Sequence, residues 1–264
     1  MSRAGETPHS SSQPLIIGHR GAAAVAPENT ILSFKRAMKD GADGIEFDVR
    51  LASDNVPVVI HDPGLRRTAL REGSIASLSS TELSEINVGN WFNLRFPALA
   101  RAEYEQATIP TLSEVLELFR ERDGVLYVEM KCVISEARAI ATEVAKLIRE
   151  REFTSRAVVE SFTLEAIVEL KRIVPEIRTA ALFEPKLVPP PSMRRMLRLA
   201  TECRADELAL HRLLATRRVT AEAARLRFKT VVWTVDNPAW LKRAEAYGIH
   251  ALITNDPARM KGNG

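Results

Sequence analysis

Short runs of aliphatic and β-branched residues alternate along the chain with longer stretches in which apolar residues recur at helical spacing. The first pattern predicts buried strands and the second predicts amphipathic helices packed on them. The predicted strands are residues 15–18, 43–49, 57–61, 125–131, 157–161, 178–183, 207–210, 230–235 and 251–253. The predicted helices are residues 28–38, 112–120, 136–149, 163–173 and 238–247. Repeated strand–helix units of this kind predict a parallel sheet with helices outside it.

About eight such units in a chain of 264 residues favour a closed (β/α)8 barrel, the TIM barrel of the α/β class. An open, doubly wound sheet is the alternative, because it also alternates strands with helices. Nine predicted strands compete for eight places in a barrel. At least one of them is therefore wrong or lies outside the barrel.

Two connections depart from the alternation. Residues 49 to 57 leave no room for a crossover helix, so we hypothesise an extended return that turns at residues 53–55. Residues 62–110 show little alternation and indicate an insertion after the third strand, packed over one end of the barrel. We expect a disordered tail at residues 1–13, followed by one TIM-barrel domain over residues 14–264 that includes the insertion.

Composition narrows the class of protein. Hydrophobic residues make up 45% of the chain and charged residues 27%, as in ordinary globular proteins. The net charge of +3 is too small to indicate a nucleic-acid partner, which requires clustered basic residues. No apolar run is long enough for a membrane span, and no signal-peptide core is present. Cys132 and Cys203 have no metal-site spacing, so we expect reduced thiols in a cytoplasmic protein.

Acidic side chains mark the ends of two predicted strands, where barrel enzymes carry their catalytic groups. Glu46 and Asp48 stand two positions apart, and Glu129 and Lys131 repeat this spacing, so each pair points to one face. Carboxylates crowded inside a barrel take up a proton or bind a cation. Three of them form an oxygen site suited to Mg²⁺ or Ca²⁺. The alternative is exposed acids, or an internal salt bridge with Lys131.

Two histidines follow neighbouring strands near these carboxylates. His19 ends the first predicted strand and His61 the third, and an imidazole titrates close to neutral pH. A single histidine at such a position is more often structural, but the pair beside carboxylates favours proton transfer. His9, His211 and His250 lack such neighbours, and we expect them in the tail, at the surface or in loops.

Arg20 and Lys131 add positive charge at the same strand ends. A guanidinium group forms paired hydrogen bonds to a phosphate, and an ammonium group supplies a compact charge. The alternative for Arg20 is an ion pair with Glu28 or Glu46, which is compatible with phosphate binding.

The ordered motifs resemble those of the glycerophosphodiester phosphodiesterase family. They are His19-Arg20-Gly21, Pro27-Glu28-Asn29-Thr30, Glu46-Phe47-Asp48-Val49, His61-Asp62, Glu129-Met130-Lys131, Trp233-Thr234-Val235 and Ile253-Thr254-Asn255. The resemblance covers residues 15 to 257. It implies a (β/α)8 barrel with one divalent cation, Mg²⁺ or Ca²⁺. It also implies cleavage of glycerophosphodiesters to glycerol 3-phosphate and an alcohol.

The resemblance also implies a role for each matching residue. The roles are metal ligation by Glu46, Asp48 and Glu129, proton transfer by His19 and His61, phosphate binding by Arg20 and Lys131, and contact with glycerol by Trp233. We assign His19 as base and His61 as acid, although the sequence leaves their order open. The attacking oxygen is water or the glycerol 2-hydroxyl. The family often has Asp at the position of Asn255, and we expect this difference to affect none of these roles.

Two other functions are compatible with the same residues. A lysophospholipase D would cleave lysophospholipids at this site, with Trp91, Phe92 and Phe96 as an apolar lip, although ordinary packing of these rings is the simpler expectation. A non-catalytic phosphate-binding barrel would lack a histidine or a metal carboxylate, and all five are present. We expect a small-molecule phosphodiester substrate, no nucleic-acid partner and no membrane span, in a monomer or homodimer.

Overall fold

A computed structural model describes residues 13–186 and 191–262 of the chain. Eight parallel strands form a closed barrel. They are β1 (Leu15–His19), β2 (Gly44–Leu51), β4 (Val125–Met130), β5 (Ala157–Ser161), β6 (Arg178–Phe183), β7 (Glu207–His211), β8 (Lys229–Trp233) and β9 (Ala251–Thr254). β1 pairs with both β2 and β9, which closes the sheet. The predicted TIM barrel is confirmed, whereas all but one residue of the predicted tail, 1–13, lies outside the described residues.

Of the nine predicted strands, the third, residues 57–61, is the one that lies outside the barrel. β3 (Pro57–Val59) pairs antiparallel with β2, so it is no barrel strand and the hypothesis of an extended parallel return is wrong. The chain does turn at residues 53–55, but the turn closes a hairpin in which Leu51 faces Pro57 and Val49 faces Val59. A hairpin needs no crossover helix. Its returning arm brings Ile60 N to within 3.0 Å of Asp48 O, and so carries His61 back to the acidic end of β2.

Helices connect most of the barrel strands. They are α1 (Ile31–Lys39), α5 (Leu112–Leu118), α6 (Ala137–Glu150), α7 (Leu164–Ile173), α8 (Met193–Glu202), α9 (Arg217–Arg225), α10 (Ala239–Tyr247) and α11 (Pro257–Lys261). Thr111 and Glu114 form a capping box at the start of α5. α1 begins three residues later than predicted because Thr30 is its N-cap and Asn29 before it is left-handed, with φ 56°. Within the described residues, no helix is both long and apolar enough to cross a membrane.

Side chains of each strand divide between two buried layers. Ile45, Phe47 and Val49 of β2 pack toward the helices, whereas Ile17 and Tyr127 belong to the cluster inside the barrel. Alternation along a strand therefore points Glu46 and Asp48 to the inner face, as the two-residue spacing predicted.

The segment between β3 and α5 contains three short helices, α2 (Arg66–Ala69), α3 (Ser80–Ser84) and α4 (Asn90–Arg95), with 3₁₀ turns between them. Leu65, Ile75 and Leu83 are buried in one apolar cluster with Val58 of the β2–β3 hairpin. A second cluster joins its aromatic residues to the loop after β1, and Tyr104 Oη donates a 3.0 Å hydrogen bond to Val25 O. The segment is thus packed against the loops that carry the candidate site.

Candidate active site

A cavity of about 300 Å³ opens at the C-terminal ends of the barrel strands. The residues that line it are His19, Arg20, Glu46, His61, Glu129, Lys131, Glu160, Phe162, Leu182, Glu184, Lys186, Trp233 and Ile253. Seven of the eight residues implied by the motifs are in this lining. The eighth, Asp48, lies just beneath it, with Oδ2 3.1 Å from Arg20 Nε.

The three predicted metal ligands converge at one end of the cavity. One carboxylate oxygen each of Glu46, Asp48 and Glu129 lies within 4.8 Å of the other two. Strand register causes this convergence, because Asp48 on β2 is paired with Glu129 on the neighbouring β4. All three side chains are buried. The cluster therefore concentrates negative charge where little water can screen it.

Burial and mutual repulsion change the acidity of this cluster. Burial, with Asp48 and Glu129 nearby, raises the pKa of Glu46 well above its ordinary value. Burial also raises the pKa of Glu129, to about 7. Burial alone would raise the pKa of Asp48, but Arg20 and Lys131 hold it below its usual range. Asp48 is thus the most strongly stabilised anion of the three.

The donor set fits a hard divalent cation. Only carboxylate oxygens converge in the cluster, and such oxygens are the preferred ligands of Mg²⁺ and Ca²⁺. Glu46 Oε1 is buried and accepts no hydrogen bond from the described part of the chain. A buried oxygen without a donor carries a desolvation cost that a bound cation would offset.

Arg20 links the cavity to Glu28 and Arg67, which lie outside its lining. Its backbone is left-handed, with φ 52°, and its amide N donates a 3.1 Å hydrogen bond to Glu46 Oε2. The guanidinium lies 2.7 Å from Glu28, so the ion pair expected as an alternative is present. Glu28 also binds Arg67. Arg20 is therefore held between Glu28 and Asp48 while it faces the cavity.

Lys131 lies among the carboxylates. Its Nζ is 2.7 Å from Glu129 Oε1 and 3.2 Å from Asp48 Oδ1. The internal salt bridge given as the alternative is therefore present together with the acidic cluster. These contacts leave Lys131 in the cavity wall beside Arg20, so two positive groups face the same space.

His19 is held by a neutral partner. Its Nδ1 lies 2.7 Å from Asn255 Oδ1, and its Nε2 lies 3.8 Å from Glu46 Oε2. Burial, reinforced by Arg20, lowers the pKa of His19 to about 4, so the ring is neutral near pH 7. Asn255 is therefore the hydrogen-bond partner of a site residue.

His61 is held by a charged partner. Its Nδ1 lies 2.6 Å from Asp62 Oδ1, and Asp62 Oδ2 accepts a 2.6 Å hydrogen bond from Arg67 Nε. Arg50 Nε donates to the carbonyl of His61 at 2.8 Å, which fixes the backbone of the β3 arm. Burial lowers the pKa of His61 although Asp48 and Asp62 oppose the change. The two histidines thus have chemically different supports.

Aromatic rings form part of the cavity wall. Trp233 lies edge-to-face with Phe162 at 5.6 Å and with His211 at 5.3 Å between ring centroids. His211 is the last residue of β7 and is partly exposed at the barrel mouth, which agrees with a surface placement, although it belongs to a strand and not to a loop. Phe162 follows β5 just as Trp233 ends β8. Phe162 was not among the residues predicted for the site, although it directly follows the predicted strand 157–161.

Glu160 is a fourth buried acid at the site, beside the three predicted ones, and it was not predicted from the sequence. It lies on β5 in register with Glu129 on β4, it is only 1% exposed, and it lines the cavity. Burial, with Glu46 and Glu129 nearby, raises its pKa well above the ordinary value. The sequence did contain a signal for Glu160. It stands near the end of the predicted strand 157–161, two residues before Phe162.

Comparison with known proteins agrees with the fold and the motifs. Residues 19–259 match the glycerophosphoryl diester phosphodiesterase family. A glycerophosphodiester phosphodiesterase of Caldanaerobacter subterraneus is 32% identical over 248 residues, which cover 93% of this chain and 96% of that protein. One from Bacillus subtilis is 29% identical over 251 residues, or 92% of this chain and 84% of the relative.

Two solved structures share the architecture. A glycerophosphodiester phosphodiesterase from Agrobacterium tumefaciens superposes with a TM-score of 0.76 at 27% identity, covering 94% of this chain and 99% of that one. A phosphodiesterase from Oleispira antarctica, solved with its product sn-glycerol-3-phosphate, superposes with a TM-score of 0.82 at 24% identity, covering 95% and 96%. By its motifs, its fold and its sequence match, the chain belongs to the glycerophosphoryl diester phosphodiesterase family and is a phosphodiesterase.

Proposed function

We propose that the chain hydrolyses glycerophosphodiesters to glycerol 3-phosphate and an alcohol, with one divalent cation, Mg²⁺ or Ca²⁺, and two histidines. The observation that carries this proposal is the convergence of three buried carboxylates beside His19, His61 and two cationic side chains in one cavity. The names of the relatives, one of them 32% identical over nearly the whole chain, support the same substrate class.

Glu46, Asp48 and Glu129 would hold the cation. Bound there, a divalent ion neutralises charge on the phosphate oxygens and so favours attack at phosphorus. Arg20 and Lys131 reach the same space from the cavity wall and would hold the remaining phosphate oxygens. Trp233 and Phe162 supply an apolar wall for the carbon atoms of the glycerol.

The hydrogen-bond partners of the two histidines favour one assignment of base and acid. His19 is paired with an amide and is neutral near pH 7, as a general base must be before it accepts a proton. His61 is paired with the Asp62 carboxylate, which stabilises an imidazolium that can protonate the leaving alcohol. His19 is therefore the proposed base and His61 the proposed acid. The attacking oxygen is water or the glycerol 2-hydroxyl, and a cyclic phosphate in ³¹P NMR would identify the second.

One set of assays tests the proposal. Several glycerophosphodiesters are incubated with EDTA-treated protein, and glycerol 3-phosphate is measured before and after Mg²⁺ or Ca²⁺ is added. We expect activity only after addition of the ion. We also expect His19→Ala and His61→Ala each to lower kcat by about 10²–10⁴-fold, with cation affinity preserved in calorimetry. Near-normal activity in both variants, or full activity in EDTA, would contradict the proposal.

The lysophospholipase D alternative receives no support from its proposed apolar lip. Phe92 is completely buried and packs against Phe96 and Tyr104, with ring centroids 4.9 Å and 5.6 Å away. Trp91, Phe92 and Phe96 are all absent from the lining of the cavity within the described residues. Parallel assays of glycerophosphocholine and lysophosphatidylcholine separate the two functions, and we expect turnover of the first.

A further inference from the structure

A hydrogen-bond chain reaches His19 from outside the cavity. Asn255 Oδ1 lies 2.7 Å from His19 Nδ1, and Asn255 Nδ2 donates a 2.9 Å hydrogen bond to Asp236 Oδ2. Asp236 follows β8 and Asn255 follows β9, so the chain joins the ends of three strands. Asp236 does not line the cavity and is absent from the proposed catalytic groups.

Asp236 is itself held in place. Its Oδ1 accepts hydrogen bonds from the backbone N of Asn255 at 2.7 Å and from Thr254 Oγ1 at 3.0 Å. One carboxylate therefore binds both the backbone and the side chain of Asn255. This double contact leaves the amide of Asn255 little freedom to rotate.

The polarity of these groups determines which nitrogen of His19 carries its proton. A carboxylate accepts hydrogen bonds, so the amide NH₂ of Asn255 must face Asp236 and its oxygen must face His19. An amide oxygen also only accepts, so Nδ1 of His19 must be the protonated nitrogen. The lone pair is then on Nε2, the nitrogen 3.8 Å from Glu46. An amide turned around would present NH₂ to Nδ1 and move the proton to Nε2.

We propose that Asp236 and Asn255 are positioning residues that hold His19 in the Nδ1–H tautomer and so leave Nε2 free to accept a proton. The inference rests on the proposed role of His19 as base. It assigns a function to Asp236, which acts on His19 only through Asn255. Asp236→Asn should leave the tautomer of His19 undetermined, because an amide at position 236 can either donate to or accept from the amide of Asn255.

The tautomer is measured directly by ¹⁵N NMR of histidine-labelled full-length protein, with the signal assigned by its loss in His19→Ala. We expect Nδ1–H in the parent protein and either Nε2–H or a mixture in Asp236→Asn. In glycerophosphodiester turnover, we expect Asp236→Asn to lower kcat by about 10²–10⁴-fold, the upper end being the loss known for a histidine held in the wrong tautomer, with KM changed less than about three-fold. A structural role alone would not move the tautomer.

A double substitution distinguishes loss of the Nδ1–H tautomer from a general disturbance of the fold. In Asp236→Asn combined with Asn255→Asp, the carboxylate at position 255 still accepts from Nδ1–H, and the amide at position 236 donates to it. We expect this exchange to restore the Nδ1–H tautomer and most of the lost kcat. The matched control is Asp256→Asn, which removes the neighbouring charge at a helix cap without touching His19. This variant should keep the tautomer and the activity of the parent protein.

Two results would overturn the inference. One is an unchanged Nδ1–H signal in correctly folded Asp236→Asn, and the other is a double variant as impaired as the single one. If Asp236→Asn does not fold, the tautomer of Asn255→Asp and of the double variant still tests the polarity argument. If the parent protein turned over no glycerophosphodiester, the proposed function would fail, whereas the NMR arm would still decide the tautomer.

Discussion

At the scale of single residues, the site combines groups of opposite charge that are each unfavourable to bury alone. Arg20 and Lys131 stabilise Asp48 as an anion, whereas Glu46 and Glu129 remain under strong mutual repulsion. Buried charges are tolerated when partners or a cation compensate them. Glu160 lacks such compensation, because its Oε2 accepts no hydrogen bond from the described residues. A substitution of Glu160 should therefore measure most directly the free-energy cost of burying these acidic side chains.

Glu160→Gln is expected to stabilise the metal-free protein near neutral pH. Burial raises the pKa of Glu160, so the folded state holds its proton more tightly than the unfolded state does. The stability from this carboxyl is present below its ordinary pKa of about 4.3 and is lost as the pH rises toward its folded pKa. The amide does not titrate, so the advantage of the variant should grow with pH, reaching about 1–3 kcal/mol at pH 7.5.

Urea unfolding in EDTA at pH 5.5 and 7.5 measures this difference. Glu150→Gln, at the exposed end of α6, removes the same charge and should change stability by less than about 0.5 kcal/mol. A parent protein more stable than Glu160→Gln at both pH values would refute the prediction.

At the scale of elements, strand register brings the site together. The pairing of Asp48 with Glu129 and of Glu129 with Glu160 puts three acids in one row across β2, β4 and β5. The hairpin of β2 and β3 then returns His61 to the level of Asp48. Close approach of β2 and β4 begins at Gly44, which faces Val125. A side chain at position 44 would separate the two strands that carry the metal ligands.

Gly44→Ala is expected to destabilise the barrel and weaken cation binding. A Cβ at this position would collide with the backbone carbonyl of Val125, which cannot move without breaking strand pairing. We expect a loss of about 2–4 kcal/mol in urea unfolding. Gly64→Ala is the control, because its nearest neighbour, Gly73 O, would lie 3.3 Å away. Equal stability of the two variants would contradict the argument.

At the scale of the whole molecule, the closed barrel brings buried acidic side chains together at one end. Several of their carboxylate oxygens accept no hydrogen bond from the described residues. Among the described residues, the cluster able to hold a metal ion is at this end of the barrel. The aromatic part of the insertion packs on the loop after β1, which supports the proposal that residues 14–264 are one domain. Stability of the whole fold should therefore depend on the ion bound at the mouth.

A saturating divalent cation is expected to raise the melting temperature. An ion that binds only the folded state at 100 times its Kd contributes about 2.7 kcal/mol, which corresponds to roughly 5–10 °C for a domain of this size. Scanning calorimetry in EDTA and then in excess Mg²⁺ or Ca²⁺ measures the shift. The double variant Glu46→Gln and Glu129→Gln should lose it. A similar rise in NaCl of equal ionic strength would attribute the effect to screening alone.

The barrel, the family and the groups available for chemistry follow from features that are local in the sequence. Alternating strands and helices predicted the parallel sheet, and spacing by two predicted that Glu46 and Asp48 share the inner face. These features are readable because they depend on local periodicity. Helices α8 and α9 were not predicted, although each buries one face of an amphipathic pattern. Only periodicity and short motifs are visible without knowledge of distant neighbours.

The connections between these groups follow instead from contacts between residues that are distant in sequence. The antiparallel pairing of β3, the place of Glu160 beside Glu129, and the contact of Asn255 with His19 each join residues that are distant in sequence. Such pairings depend on strand register and on the closure of the barrel, which no local pattern encodes. For the same reason the two histidines looked alike in the sequence, and only their partners, an amide and a carboxylate, distinguish them.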